Sequence, residues 1–180
     1  MFEALIPFYR EKESYTLFYD ADQKQMYRLP HRNKRNALYY FLFLAVLYGS
    51  YALNDMYQNY RGTVSNLIIF IVILAGSLVI AKLFYRNYYI QNRSRNIFIT
   101  NTDLLNYAAK GRKQFYREIF VSIFIFIASV ACSIYFFMFS QLLLLIVGGL
   151  GYLVFWMLVI MKPFSRMQLY KRIQKGEIDL

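Results

Sequence analysis

Few residues in this chain are of a type that does chemistry. In 180 residues there is one histidine, His31, and one cysteine, Cys132. His31 follows Pro30 among basic residues, where a solvated role beside a membrane is expected. Cys132 lies inside an apolar run, where its thiol stays protonated and inert and has no partner for a disulfide. Asp20-x-Asp22 has the spacing of a metal-ligating pair, but Asp20-Ala21-Asp22-Gln23 is also turn chemistry, the expected role. Asn92-Arg93-Ser94 matches a glycosylation acceptor, yet the topology derived below places it in the cytoplasm. No phosphate-binding glycine loop and no zinc-ligand spacing occurs. No catalytic, cofactor-binding or metal-binding residue is therefore expected.

A different kind of candidate comes from small residues at helical spacing. Ala45 and Gly49, Ser77 and Ala81, and Ser129 and Ser133 each stand four apart, and Gly148, Gly149 and Gly151 cluster together. In a bilayer such residues let helix backbones approach closely. They are the expected packing face of a compact bundle, or a face for a foreign membrane helix.

The elements that must carry these residues are membrane spans. The chain is 58% hydrophobic and only 17% charged, against about a quarter charged in a soluble domain. Crossing a hydrocarbon core of about 30 Å takes about 20 apolar residues. Charge-free stretches run from Asn36 to Asn54 and from Gly62 to Ala81. A third, Ile119 to Met161, is 43 residues long; as one helix it would reach roughly 65 Å, so it must fold back. Ser140-Gln141 is its least apolar point and the expected turn. The sequence thus predicts an all-α polytopic membrane protein of four transmembrane helices arranged as two hairpins. The spans are about 37–54, 64–84, 119–139 and 141–161, making a membrane domain of 37–161.

Basic residues set the orientation. Twenty of the 21 Lys and Arg residues fall before the first span, from Lys82 at the inner end of the second to the start of the third, or after the fourth; Arg61 is the exception. Both termini and the loop 85–118 are expected in the cytoplasm of a multi-pass cell-membrane protein. Nothing near Met1 reads as a cleaved signal, so the first span is expected to direct insertion. The same bias accounts for the net charge of +11 without a nucleic-acid partner. Arg32, Lys34, Arg35 and Lys110, Arg112, Lys113, Arg117 read as topology signals that also touch anionic lipid heads. Tyr39, Tyr40, Tyr85, Tyr88 and Tyr89 are placed in an inner aromatic belt, with Tyr51, Tyr57, Tyr60, Phe136, Phe137 and Phe139 in an outer one. Trp156 is placed toward the inner end of span four.

Outside the spans, residues 1–36 form an N-terminal segment with a β-hairpin, Tyr15–Tyr19 pairing with Gln25–Leu29 up to Pro30. Asn96–Thr100 reads as a short strand, and Thr102 or Asp103 as the cap of a helix that Gly111 ends or bends. Residues 162–180 read as a cytoplasmic interfacial tail, Met167, Tyr170 and Ile173 facing lipid and Arg166, Lys171, Arg172 and Lys175 facing water. Segments 15–43 and 96–124 share an order of strand, acidic turn, helix breaker, basic run and membrane helix, which would make them parallel repeats.

The hairpin from Tyr15-Thr-Leu-Phe-Tyr-Asp to Met26-Tyr27-Arg28-Leu29, the paired spans and the basic middle loop resemble the layout of small membrane immunity proteins that accompany type VII secretion toxins of Gram-positive bacteria. The resemblance implies a non-enzymatic protein that binds a membrane-active toxin and blocks its pore or insertion. The residues themselves support a binding role, because the spans carry no charged group at depth as ion-coupled transporters need. The expected partners are the bilayer and a protein met within it or from the cytoplasm. The alternative is an accessory or scaffold subunit of a larger membrane complex, recognised through the hairpin and middle loop.

Overall fold

The computed structural model describes residues 5–11, 14–32, 44, 48, 49, 52–89 and 95–177. They form a mostly helical protein with one small antiparallel sheet. The strands are β1 (Leu5–Glu11), β2 (Tyr15–Asp20), β3 (Gln25–Pro30) and β4 (Arg95–Ile97), in that order across the sheet. The helices are α1 (Thr63–Tyr88), α2 (Asn101–Phe139), α3 (Leu142–Ile160) and α4 (Pro163–Gln174). Of these, α1, α2 and α3 are long and apolar enough to cross a membrane. The expected first span, 37–54, lies mostly outside the described residues; residues 44, 48, 49 and 52–58 are helical.

The chain divides into two compact units, one of Met1–Asn33, Phe84–Val121 and Met157–Leu180, the other of Lys34–Leu83 and Ser122–Trp156. The first is built around β2, in which every residue after Tyr15 is buried. Successive strand side chains point to opposite faces, so Leu17 and Tyr19 join one core and Phe18 the other. Leu17, Tyr19, Phe8 and Met26 pack with Leu104, Ala108 and Phe115 of α2 and with Leu169, Tyr170 and Ile173 of α4. Phe18, Leu5 and Leu29 pack with Tyr89, and with Tyr85 and Tyr88 at the end of α1. Each face of the sheet is thus covered by helix. Tyr85, Tyr88 and Tyr89, expected in a lipid-facing belt, cover the sheet instead.

The hairpin turn is held by Asp20, whose Oδ1 accepts from the amides of Asp22 (2.9 Å) and Gln23 (3.2 Å). Lys24 closes it at φ 52°. β1 has no alternating pattern in the sequence, because Pro7 and a bulge between Pro7 and Tyr9 break it. Proline is tolerated at a sheet edge, where no ladder partner needs its N–H. That edge is blunted by side chains: Gln114 Oε1 accepts from the Arg10 amide at 3.4 Å, and Tyr170 donates to the Phe8 carbonyl.

Gly111 does not end a helix; α2 runs through it for 39 residues from Asn101, just before the expected caps Thr102 and Asp103. The missing side chain instead lets β1 come close. A Cβ at Gly111 would lie 2.6 Å from the Phe8 carbonyl oxygen and 3.0 Å from the Tyr170 hydroxyl. Of the two segments expected as repeats, 15–30 forms two strands and 96–111 a short strand and a helix, and 33–43 lies outside the described residues.

The tail is likewise not an interfacial helix with Arg166 in water. The face of α4 made by Arg166, Leu169, Tyr170 and Ile173 is buried, its apolar members in the protein's own core. Pro163 starts this helix after Lys162 turns the chain at φ 52°, and Gly176 (φ 69°) ends it, the Gly176 and Glu177 amides donating to the Ile173 and Arg172 carbonyls. That is the Schellman arrangement, which favours glycine.

In the second unit, α2 and α3 run antiparallel about a turn at Ser140-Gln141, with Ser140 at φ 54°. Its buried centre is Tyr57, Phe136 and Leu145, with Phe70 and Ile73 of α1 packed against it. Tyr57 and Phe136, expected in the outer belt, are core residues. Elsewhere large apolar side chains stay exposed, Leu67, Ile68, Ile71 and Val72 of α1 by 50–62%.

Candidate functional site: the small-residue seam

Of the small-residue candidates, four come together. Ser129 and Ser133 on α2 face Gly148 and Gly151 on α3, packed so closely that added carbon would collide. A Cβ at Gly148 would lie 3.3 Å from the Ser129 carbonyl, and one at Gly151 would run into Ser129 Oγ. Gly149 points another way, toward Ile73 of α1, 2.6 Å from where its Cβ would be. Ser77 and Ala81 are buried on α1, and the Ser77 hydroxyl donates to Leu74 O at 2.7 Å. Gly49 has open space around it, and Ala45 lies outside the described residues.

Three hydroxyls thread the seam. Ser133 Oγ donates to Ser129 O at 2.9 Å, which leaves Tyr152 to donate to Ser133 Oγ at 2.8 Å; a hydroxyl has one proton to give. Ser129 Oγ donates to Ile125 O at 2.8 Å. Every hydroxyl is satisfied where an unmet one would be costly. Each partner in this network is a backbone carbonyl or another hydroxyl, and the bonds tie α2 to itself and to α3. Among the described residues, no three of His, Cys, Asp and Glu gather as a metal site would require.

The chain matches no protein-family model, no curated protein and no solved structure.

Three polar clusters escaped the sequence reading. At the turn end of the helix pair, Asn66, 4% exposed, accepts from the Tyr57 hydroxyl and donates to Ser140 Oγ at 3.1 Å. Asn54 Oδ1 accepts from the Leu142 amide at 3.1 Å, and Gln58 donates to the Ser140 carbonyl at 3.3 Å. An asparagine in an otherwise apolar helix was the available signal.

The second cluster surrounds His31, which is buried at 7% exposure rather than solvated. Its Nε2 lies 2.8 Å from Thr16 Oγ1, and its ring centre lies 4.7 Å from that of Tyr88, the two planes tilted by 38°. The Tyr88 hydroxyl accepts from Arg10 at 2.8 Å. Burial pushes the neighbouring Tyr89 phenol up to about 12.

The third is an ion pair. Arg166 Nη1 lies 2.8 Å from Glu118 Oε2, and the guanidinium sits 5.0 Å above the Phe115 ring. Burial works against the Arg166 charge, but Tyr170 and Glu118 outweigh it and raise its pKa. Spacing along the sequence could not have revealed this pair, because 48 positions separate its members.

The sheet-bearing unit also keeps apolar surface. Phe98, between β4 and α2, is 95% exposed and Leu105 is 50% exposed. Leu105 borders a cleft of about 390 Å³ lined also by Asn101, Leu104, Ile173 and Lys175.

Proposed function

We propose that this chain is a non-enzymatic, multi-pass membrane protein that works by binding another protein, which it meets through the sheet-bearing unit. The observation that carries this reading is a contrast. The seam of Ser129, Ser133, Gly148 and Gly151 is filled by the chain's own helices, so it offers no vacant face to a foreign helix. Phe98 stands almost fully exposed, and the half-exposed Leu105 lines a cleft. Protein interfaces centre on such apolar anchors.

The membrane topology belongs to the same proposal. Residues 37–54 supply a fourth span, and the basic residues put both termini and the sheet-bearing unit on the cytoplasmic side. Support comes from Asn54, Tyr57 and Gln58, whose hydrogen bonds reach Leu142, Asn66 and Ser140 at the turn end of the α2–α3 pair. In a Cys132→Ser background, a cysteine replacing Asn59 should react with an impermeant maleimide in intact cells. One replacing Lys24 should react only after permeabilisation; the reverse pattern sinks the orientation.

Phe98→Asp with Leu105→Asp tests the binding surface. Deleting 1–36 would not, because it removes three of the four strands. The double variant should stay in the membrane but lose the protein that co-purifies with the wild type in mild detergent. An unchanged co-purifying set refutes the reading.

The layout shared with membrane immunity proteins supplies the class of partner, a membrane-active toxin. Its test is growth of cells making a membrane-active toxin of that class: the wild type should protect and the double variant should not. An accessory subunit would instead co-purify with a larger membrane complex and give no protection.

A further inference from the structure

The basic residues of the middle segment are not equivalent once folded. Arg112 is half-buried and engaged, its Nη1 2.8 Å from Gln174 Oε1 and its guanidinium 5.6 Å from the Tyr116 ring centre. Lys110, Lys113 and Arg117 are exposed, and among the described residues none of the three forms an ion pair. Their spacing of three and then four puts them on one face of α2. The next position on that face is Phe120, 74% exposed. The face therefore changes from cationic to apolar within one turn.

We infer that Lys110, Lys113 and Arg117 form a binding stripe for anionic phospholipid headgroups, with Arg117 at the level of the phosphates. The inference rests on α2 being a membrane helix. Arg117 stands about 4.5 Å from Phe120 along the axis, Lys113 about 10 Å and Lys110 about 15 Å. The headgroup layer is roughly 5–8 Å deep on each side of the hydrocarbon. Arg117 thus sits within that layer, and Lys113 reaches it with its four-carbon stem. Lys110 remains within about one Debye length of it. Tyr116, 48% exposed, lies at the depth favoured by amphipathic rings. A zwitterionic headgroup offers this stripe no net charge, so the lipids selected are those with net negative heads.

The test uses the full chain in a neutral detergent with added phosphatidylglycerol or phosphatidylcholine. Phosphatidylglycerol should raise the thermal midpoint by roughly 5 °C and phosphatidylcholine by much less. Lys110→Gln/Lys113→Gln/Arg117→Gln should lose most of the difference, whereas Lys24→Gln/Lys171→Gln, on other surfaces, should keep it. Should the triple variant fold poorly, the wild-type shift itself should fall by more than half between about 0.05 and 0.5 M salt. Equal shifts with both lipids, or as large a shift with a short DNA duplex, overturn the inference. Retention through an alkaline carbonate wash separates the two readings. A retained protein with no lipid preference loses the stripe alone, and a released one loses the membrane reading and the stripe together.

Discussion

The Tyr170 hydroxyl donates a hydrogen bond to the backbone carbonyl of Phe8, joining the last helix to the first strand across 162 positions of sequence. It does so over Gly111, whose bare α-carbon lets both approach α2. Phe8 and Tyr170 are each at most 2% exposed, so the bond forms where an unmet carbonyl is costly.

Tyr170→Phe should therefore destabilise the sheet-bearing unit by about 1–3 kcal/mol. Gly111→Ala should cost at least as much, because the obstacle at 2.6 Å is backbone and cannot swing away. Thermal melts in detergent followed by far-UV circular dichroism measure both. An alanine at 111 with an unchanged midpoint would show that the approach is not tight.

In the helix pair the glycines should rank by what their Cβ would meet. Gly151→Ala collides with Ser129 Oγ and crowds Ile125 and the Ser129 Cβ, whereas Gly149→Ala meets a single atom, the Cγ2 methyl of Ile73. Gly151→Ala should be the more damaging by about 1–2 kcal/mol. Adding Ser129→Ala should recover part of that loss by removing the oxygen. If the double variant melts below both single variants, the seam is not packed in this way.

Breaking the Arg166–Glu118 pair should cost more than replacing it. Arg166 is 2% exposed, so Glu118→Leu leaves a buried guanidinium without its counter-charge. A fully buried case costs about 3–5 kcal/mol; Glu118 keeps 28% of its side chain exposed, which puts this one at or below the lower bound. Glu118→Leu with Arg166→Met should melt higher than Glu118→Leu alone. The opposite order would mean that solvent compensates the lone charge.

Alkaline pH should unfold the sheet-bearing unit before it disturbs the long apolar helices. Burial pushes the Tyr89 phenol up to about 12, and the hydrogen bond to Glu11, with burial, pushes Tyr9 up to about 12. The ordinary value is 10, so the folded state holds these protons more tightly than the unfolded one. Their stabilisation is whole below pH 10 and is lost as pH rises toward about 12. Plotted against pH, the thermal midpoint should fall over that interval. The fall should be shallower in Tyr89→Phe and Tyr9→Phe; equal slopes would remove these two residues from the account.

Lipid-length helices were legible in the sequence because they need only an uncharged run of sufficient length, as at Ile119–Met161. The Tyr15–Pro30 hairpin was legible because Asp20 makes a turn from its own side chain. The turn at Ser140-Gln141 followed from the length limit on the run that contains it. The Phe8 strand was not legible, because a bulge and a proline hide its alternation. Nor were the roles of His31 and Arg166, which by composition belong in water.

Sequence alone determined what local chemistry and chain length control: which stretches are apolar enough to cross a membrane, where the charges gather and where the hairpin turns. Only tertiary structure decided the use of each small or polar residue. Gly111 became a point of close approach, the Ser129–Ser133 and Gly148–Gly151 faces filled each other, and Arg112 bonded to Gln174 while Lys110, Lys113 and Arg117 stayed exposed. The physical reason is that a residue's pattern fixes which face of its helix it occupies. What stands opposite that face is set by chain folded back from far along the sequence, as Phe8 and Tyr170 are at Gly111.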